Sequence, residues 1–479
     1  MLFITERMSL LLVLFFFSGC VSVTKFPDIG EIYNKSAQYH YVDRNPVILI
    51  PGIMGSKLVD QKTGQIVWGA FGGGSVNPDE PRGARLIALP MKEGFSLKDL
   101  KDQVIPKGVL EQVKVKLWGL PVNLRAYIDI LRTLGAGNYY DQQFAQATGL
   151  YYGKGHYTCF QFDYDWRRDI SENAERLHEF LITKRAYVQQ QIEKEFGVKN
   201  YDVKFDLVAH SMGGLLARYY LEFGGQDLPK DGKLPPVTWE GAKYVDKLVM
   251  IATPNAGTIE ALQDLVKGVR FSIFLPKYEP AVLGTMPALY EMLPRNRYHR
   301  VVNAQNPDES IDLFDPQLWR KMNWGLTSEN QQHILKMLLP EVSNAEERKE
   351  IAFDHLKKSL KRAKQFMQTM DQPAVTPPGV SIYLFVGDAQ PTDAVVSVDS
   401  KTGSLKVIKK EPGDGVVLRS SVLLDERIGN RWEPYVESPI PWTSTQFLFT
   451  DHVGLTKDAA FTDNLLFLLL EKDKKSFIK

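Results

Sequence analysis

Cysteine is nearly absent from this sequence, with two in 479 residues, Cys20 and Cys159. That scarcity excludes a disulfide-stapled module, and neither cysteine stands at metal-ligand spacing. The eight histidines form no H-x-H or H-x-x-x-H pair, so no cofactor and no metal is expected. An excess of one charge is also missing: 58 Lys and Arg stand against 57 Asp and Glu, for a net charge of +1. Nucleic-acid binders usually carry a strong basic excess, so nucleic acid is not an expected partner. Internal repeats and low-complexity tracts are lacking as well. What the chain does have is material for a large core, 44% apolar and 11% aromatic residues, as in a globular enzyme rather than a disordered chain.

The N-terminus bears on location. Leu10 to Phe17 is an unbroken apolar run, too short to span a bilayer but suited to the core of a signal peptide. Phe17-Ser18-Gly19-Cys20 follows and resembles the lipobox of bacterial lipoproteins. The resemblance implies removal of residues 1–19 and lipidation of Cys20, with the alternative of an ordinary signal peptide followed by a chance cysteine. On the lipobox reading Cys159 is the only free thiol and no intramolecular disulfide can form. The protein is then expected in a bacterial cell envelope, lipid-anchored to a membrane surface through residues 20–44 acting as a tether.

From residue 45 onward, short apolar runs alternate with helical patterns. Val47 to Ile50, Cys159 to Phe162, Phe205 to Ala209, Val245 to Ile251 and Ser381 to Val386 read as strands buried on both faces. Helical periodicity lies between them, notably over Ile170–Phe196 and Met212–Phe223, and this alternation predicts a mostly parallel, doubly wound α/β sheet. Residues 258–379 interrupt it and read as an inserted, mainly helical cap between two parts of the core, 45–257 and 380–479. The cap opens on the apolar run Phe271-Ser272-Ile273-Phe274-Leu275 and closes on a basic helix near 344–370. In that helix Phe353, Leu356, Leu360, Ala363, Met367 and Met370 make one apolar stripe. A basic amphipathic helix can lie on a membrane, but an ordinary cap helix with a solvated face is the more frequent use of the pattern.

The stretch Phe205-Asp206-Leu207-Val208-Ala209-His210-Ser211-Met212-Gly213-Gly214 carries the most chemistry. A strand runs into a serine and straight on into a helix, with small residues two before and two after, Ala209 and Gly213. That is the context of a nucleophile elbow, where strand and helix crowd around a sharp turn. Acyl transfer at such a serine needs backbone N–H groups aimed at the developing oxyanion. Met212 supplies one, and the loop after the first strand, with Gly52 and Gly55, is placed to supply another. The triad partners are expected in the order serine, acid, histidine. No histidine follows His355 except His452, so order selects His452. For the acid, Asp388 after a strand and Asp414 within Gly413-Asp414-Gly415 both fit by spacing.

These pieces together resemble the lecithin:cholesterol acyltransferase family of α/β-hydrolases. The matching segments are Pro46 to Ser56, Tyr164-Asp165-Trp166-Arg167, Ala209 to Gly214, Ala252 to Gly257, Gly413 to Val417 and His452, in family order. The resemblance implies Asp414 as the acid and Ile53 and Met212 as the oxyanion donors. It implies a serine-dependent lipid acyl hydrolase or O-acyltransferase acting on phospholipid-type esters through an acyl-Ser211 intermediate. Trp166 and Arg167 are candidates for substrate contact, Trp166 under a headgroup or acyl chain and Arg167 near a phosphate. A buried tryptophan beside a local Asp–Arg pair is the structural alternative. Two other functions remain in view: a carboxylesterase for small, non-lipid esters, and a surface lipoprotein that keeps the fold as a non-catalytic scaffold.

Overall fold

A computed structural model of the chain describes residues 27–472, except 71–74, 111, 118–119, 126, 149–154, 271–275 and 428–432. Residues 1–19, read from sequence as a signal peptide, together with Cys20 and the run 271–275, lie outside the described residues. No helix among the described residues is long and apolar enough to cross a membrane.

The centre is a six-stranded sheet. Its strands are β1 (Val47–Ile50), β2 (Cys159–Gln161), β3 (Phe205–His210), β4 (Val245–Ile251), β5 (Ser381–Gly387) and β6 (Ser444–Leu448), in the order β6-β5-β4-β3-β1-β2. Every pairing within it is parallel. Residues β1, β3 and β5 are buried throughout, because successive side chains enter opposite apolar layers. Ile48, Ile50, Leu207 and Met250 join one cluster, while Val47, Leu49, Val208 and Val249 join the other. The first layer is closed by α1 (Ile170–Phe196) and α2 (Met212–Phe223), and the second by the helix Ile128–Ala136 and by α5 (Ala459–Leu466). Asp169 caps α1 by accepting from the N–H groups of Ser171 and Glu172, and Gly197, at φ 71°, ends it in the left-handed region.

Between β4 and β5 the chain is mostly helical. It includes α3 (Ile259–Lys267) and α4 (Ala345–Met370) and, among the described residues, one short strand, Val301–Asn303. The α4 stripe expected from sequence is buried, Leu356 and Met370 completely, so this helix packs inward rather than on a membrane. Its basic residues are not uniformly solvated. Arg362 turns inward to ion pairs with Asp169 and Asp227.

Several strands escape the reading of buried apolar runs. Gln390–Val398 and Leu405–Gly413 form an antiparallel hairpin that also pairs with Val301–Asn303. The second hairpin strand is Lys-rich and largely exposed, and so lacks the apolar continuity of a central strand. The stretch read as a tether also differs in part. Tyr33 and Ala37, in short helices at Ile29–Ile32 and Asn34–Gln38, are buried. The Tyr33 hydroxyl donates to the Asp463 carboxylate over 2.6 Å, so residues 29–38 dock on the C-terminal helical segment.

Candidate active site

The parallel sheet delivers several loops to the carboxyl ends of its strands, and Ser211 stands at the end of β3. It adopts φ 53° and ψ −128°, a strained conformation that lifts the side chain off the strand-to-helix turn. Its N–H donates to the Ile251 carbonyl over 2.7 Å, which ties the turn to β4. Gly213 is required by close approach: a Cβ there would sit 2.3 Å from the Pro51 carbonyl oxygen. Gly52 meets the turn from the other side, and a Cβ on it would fall 2.8 Å from the Ser211 Cβ. The loop carrying Ile53 is therefore pressed against the serine.

His452 follows β6 and reaches Ser211 through Nε2, 3.1 Å from Oγ. Its Nδ1 lies 2.7 Å from Asp414 Oδ2, and its backbone N–H donates to the Asp414 carbonyl over 2.9 Å. Asp414 Oδ1 accepts from the N–H groups of Val416 and Val417 at 3.0 and 2.7 Å. The carboxylate is thus held on both oxygens and is fully buried. Asp388 faces elsewhere, with Arg419 4.0 Å away. Of the two acids that spacing left open, Asp414 is the one joined to His452.

Two groups in this region carry no sequence signal. His210, just before Ser211, has Nδ1 3.1 Å from the Tyr127 hydroxyl and Nε2 3.3 Å from the His452 carbonyl oxygen. Burial, and secondly the neighbouring His452, push its pKa down to about 3, so the ring is neutral at physiological pH. A carbonyl can only accept, so Nε2 carries the proton and Nδ1 accepts from Tyr127. Tyr127 in turn accepts from the Gly52 N–H over 2.7 Å. One buried chain of hydrogen bonds therefore links the loop of Ile53, the residue before the serine, and the backbone of the histidine. Tyr127→Phe leaves the Gly52 N–H and His210 Nδ1 without this partner. At ~1–3 kcal/mol for an unsatisfied buried group, kcat/KM on a short-chain ester is expected to fall roughly 10- to 100-fold. Unchanged turnover and an unchanged melting temperature would remove Tyr127 from this role.

Ser211 and His452 open on a cavity of about 590 Å³. Its walls are mainly apolar, including Ile53, Leu110, Leu289, Met292 and Val416, with Glu260 and Asp264 of α3 on one side. Burial, and then the charge of Glu260, raise the Asp264 carboxyl to about 7. The Glu260 carboxyl is also raised, by burial against the opposing effect of His452. The cavity thus offers an apolar wall to an acyl chain and a carboxyl pair to a polar group.

Trp166 and Arg167 do not line this cavity, and the candidate role in substrate contact is corrected. Both are fully buried, and Trp166 Nε1 donates to the Ser56 carbonyl over 3.1 Å. The Arg167 guanidinium donates to Asp165 over 2.8 Å and to the carbonyls of Leu86 and Ile87, and it forms an ion pair with Asp102 at 2.8 Å. Burial opposes ionisation of Asp165, but the guanidinium outweighs it and holds the carboxyl below its usual range. With every donor engaged inside the fold, Arg167 is a structural tie. Arg167→Met strands two buried carboxylates and is expected to destabilise the protein by ~3–5 kcal/mol, read as a lower melting temperature. A substrate-binding arginine would instead raise KM with the melting temperature unchanged.

A family model described as lecithin:cholesterol acyltransferase matches residues 133–420. No curated protein sequence matches the chain. Among solved structures, the Tle4–Tli4 complex is similar at 15% identity with TM-score 0.53, over 89% of this chain and 98% of that one. EstA from Clostridium botulinum aligns at 14% identity over 94% of this chain and 91% of its own, TM-score 0.31. Lipase 1 from Pelosinus fermentans aligns at 13% identity over 90% and 99%, TM-score 0.29. The fold is that of the α/β-hydrolases.

Proposed function

The chain belongs to the lecithin:cholesterol acyltransferase family, and from that premise we propose that it is a serine-dependent acyl hydrolase or O-acyltransferase of phospholipid-type esters. Membership places it among enzymes that hydrolyse lipid esters or transfer their acyl groups. One observation carries the finer reading: Ser211 Oγ, His452 and Asp414 form a continuous hydrogen-bonded row, at 3.1 and 2.7 Å, at the edge of a largely apolar cavity.

In this mechanism Ser211 attacks the ester carbonyl while His452 Nε2 takes its proton. Asp414 holds the imidazole in place and stabilises the imidazolium. The N–H groups of Ile53 and Met212 receive the oxyanion. His452 then returns the proton to the leaving alcohol, and an acyl-Ser211 ester remains. Water or a second alcohol, activated by His452, attacks that ester and frees Ser211. The apolar wall suits the acyl chain, and the Glu260–Asp264 side suits the polar end of the substrate.

Incubation with a defined phospholipid, with and without a sterol, tests this by the masses of acyl product and acceptor. Free fatty acid or an acylated sterol supports the proposal. Cleavage of short soluble esters with none of vesicle phospholipid overturns it in favour of a small-ester carboxylesterase. We further propose that Cys20 is lipidated and holds the enzyme at a membrane of the cell envelope, beside such substrates. Metabolic labelling with a fatty acid reads this directly, and a label that persists in Cys20→Ser contradicts it.

A further inference from the structure

We propose that His40, His156 and Glu195 form a Zn²⁺ site that clips the N-terminal segment to the body of the protein. The three residues are remote in sequence, and the fold gathers them at one end of the sheet. His40 lies in the segment leading into β1, His156 shortly before β2, and Glu195 at the end of α1. β1 and β2 are parallel, so His40 and His156 both lie on the side where these strands begin. Ser211 and His452 follow the ends of β3 and β6, so the cluster stands at the opposite end of the sheet from them.

The donor atoms match the metal in type and spacing. His156 Nδ1 is 3.1 Å from Glu195 Oε1, and His40 Nε2 is 3.4 Å from Glu195 Oε2. All three ligand atoms lie within 4.8 Å of one another. Bonds of about 2.0–2.1 Å to a tetrahedral zinc put neighbouring ligand atoms about 3.3 Å apart. Each imidazole already stands near that length from one oxygen of the Glu195 carboxylate, and a modest rotation of the side chains brings all three donors around one ion. His40 Nε2 is a buried atom that makes no hydrogen bond; its polar neighbour is the Glu195 carboxylate at 3.4 Å.

Two imidazoles and one carboxylate select a borderline transition cation. Calcium takes six to eight oxygen ligands, and only one carboxylate is offered here. Water would complete the fourth position. None of the three residues lines the cavity at Ser211, so the ion's work is to join three chain segments. It rests on none of the acyl-transfer reading.

The test uses the full chain in detergent, without a polyhistidine tag, stripped with a chelator and dialysed against Zn²⁺. Elemental analysis is expected to return one zinc per chain, with a melting temperature that rises and saturates with zinc. His40→Gln, at a partly exposed position, and His156→Ala should each weaken zinc binding at least about tenfold. Ser211→Ala should keep full stoichiometry. Wild type without zinc overturns the site, as does zinc held equally by both histidine variants. A melting temperature raised as much by Ca²⁺ also overturns it.

Discussion

Ser211→Ala is expected to lower ester cleavage by about a million-fold, because triad members act as a unit and the loss of one removes the covalent route. The change deletes one hydroxyl whose partner, His452 Nε2, lies at 3.1 Å. Alanine fits the turn at position 211 as well as serine does, and the glycines around it are untouched. The melting temperature should therefore stay close to wild type, which separates lost chemistry from lost folding. A fluorophosphonate probe should label wild type and spare the variant. Labelling that survives in Ser211→Ala would show that another group is the nucleophile.

Asp414→Asn should cost about 10⁴-fold in kcat, with the fold again intact. The asparagine oxygen can still accept from the N–H groups of Val416 and Val417. Its amide then points N–H toward His452 Nδ1, where the carboxylate accepted at 2.7 Å. The imidazole must turn its lone pair to that amide, leaving Nε2 protonated and unable to take the Ser211 proton. Asp388→Asn should change kcat little, since that side chain is partly exposed beside Arg419. Parallel kcat measurements in folded variants decide the matter, and a larger loss in Asp388→Asn would reassign the acid.

The order of legibility follows how local each signal is. The turn at Ser211 could be read directly, since a strand, small flanking residues and a helix must adjoin it in sequence. His452 was reachable by chain order. Asp414 and Asp388 could not be separated by spacing, because what distinguishes them is which one contacts a loop some forty residues further on. Trp166 and Arg167 drew attention by residue type, yet their partners Ser56 and Asp102 are more than sixty positions away. Tyr127 and the proton direction through His210 had no sequence signature at all. The hairpin Gln390–Gly413 was missed because its polar, half-exposed strands do not form the continuous apolar runs of a buried sheet.

Sequence by itself determined the doubly wound α/β architecture, since β1, β3, β4 and β5 are apolar on both faces and only a sheet covered by helices on each side buries them. It also singled out the strained serine, because the crowding at that turn restricts its immediate neighbours to small residues. Only the tertiary structure decided which acid meets His452, turned Arg167 away from the cavity, and brought His40, His156 and Glu195 within 4.8 Å. Each of these depends on contacts between segments far apart in the chain. Such contacts arise from how separate loops converge at either end of a parallel sheet, and local periodicity and motif spacing carry no record of that convergence.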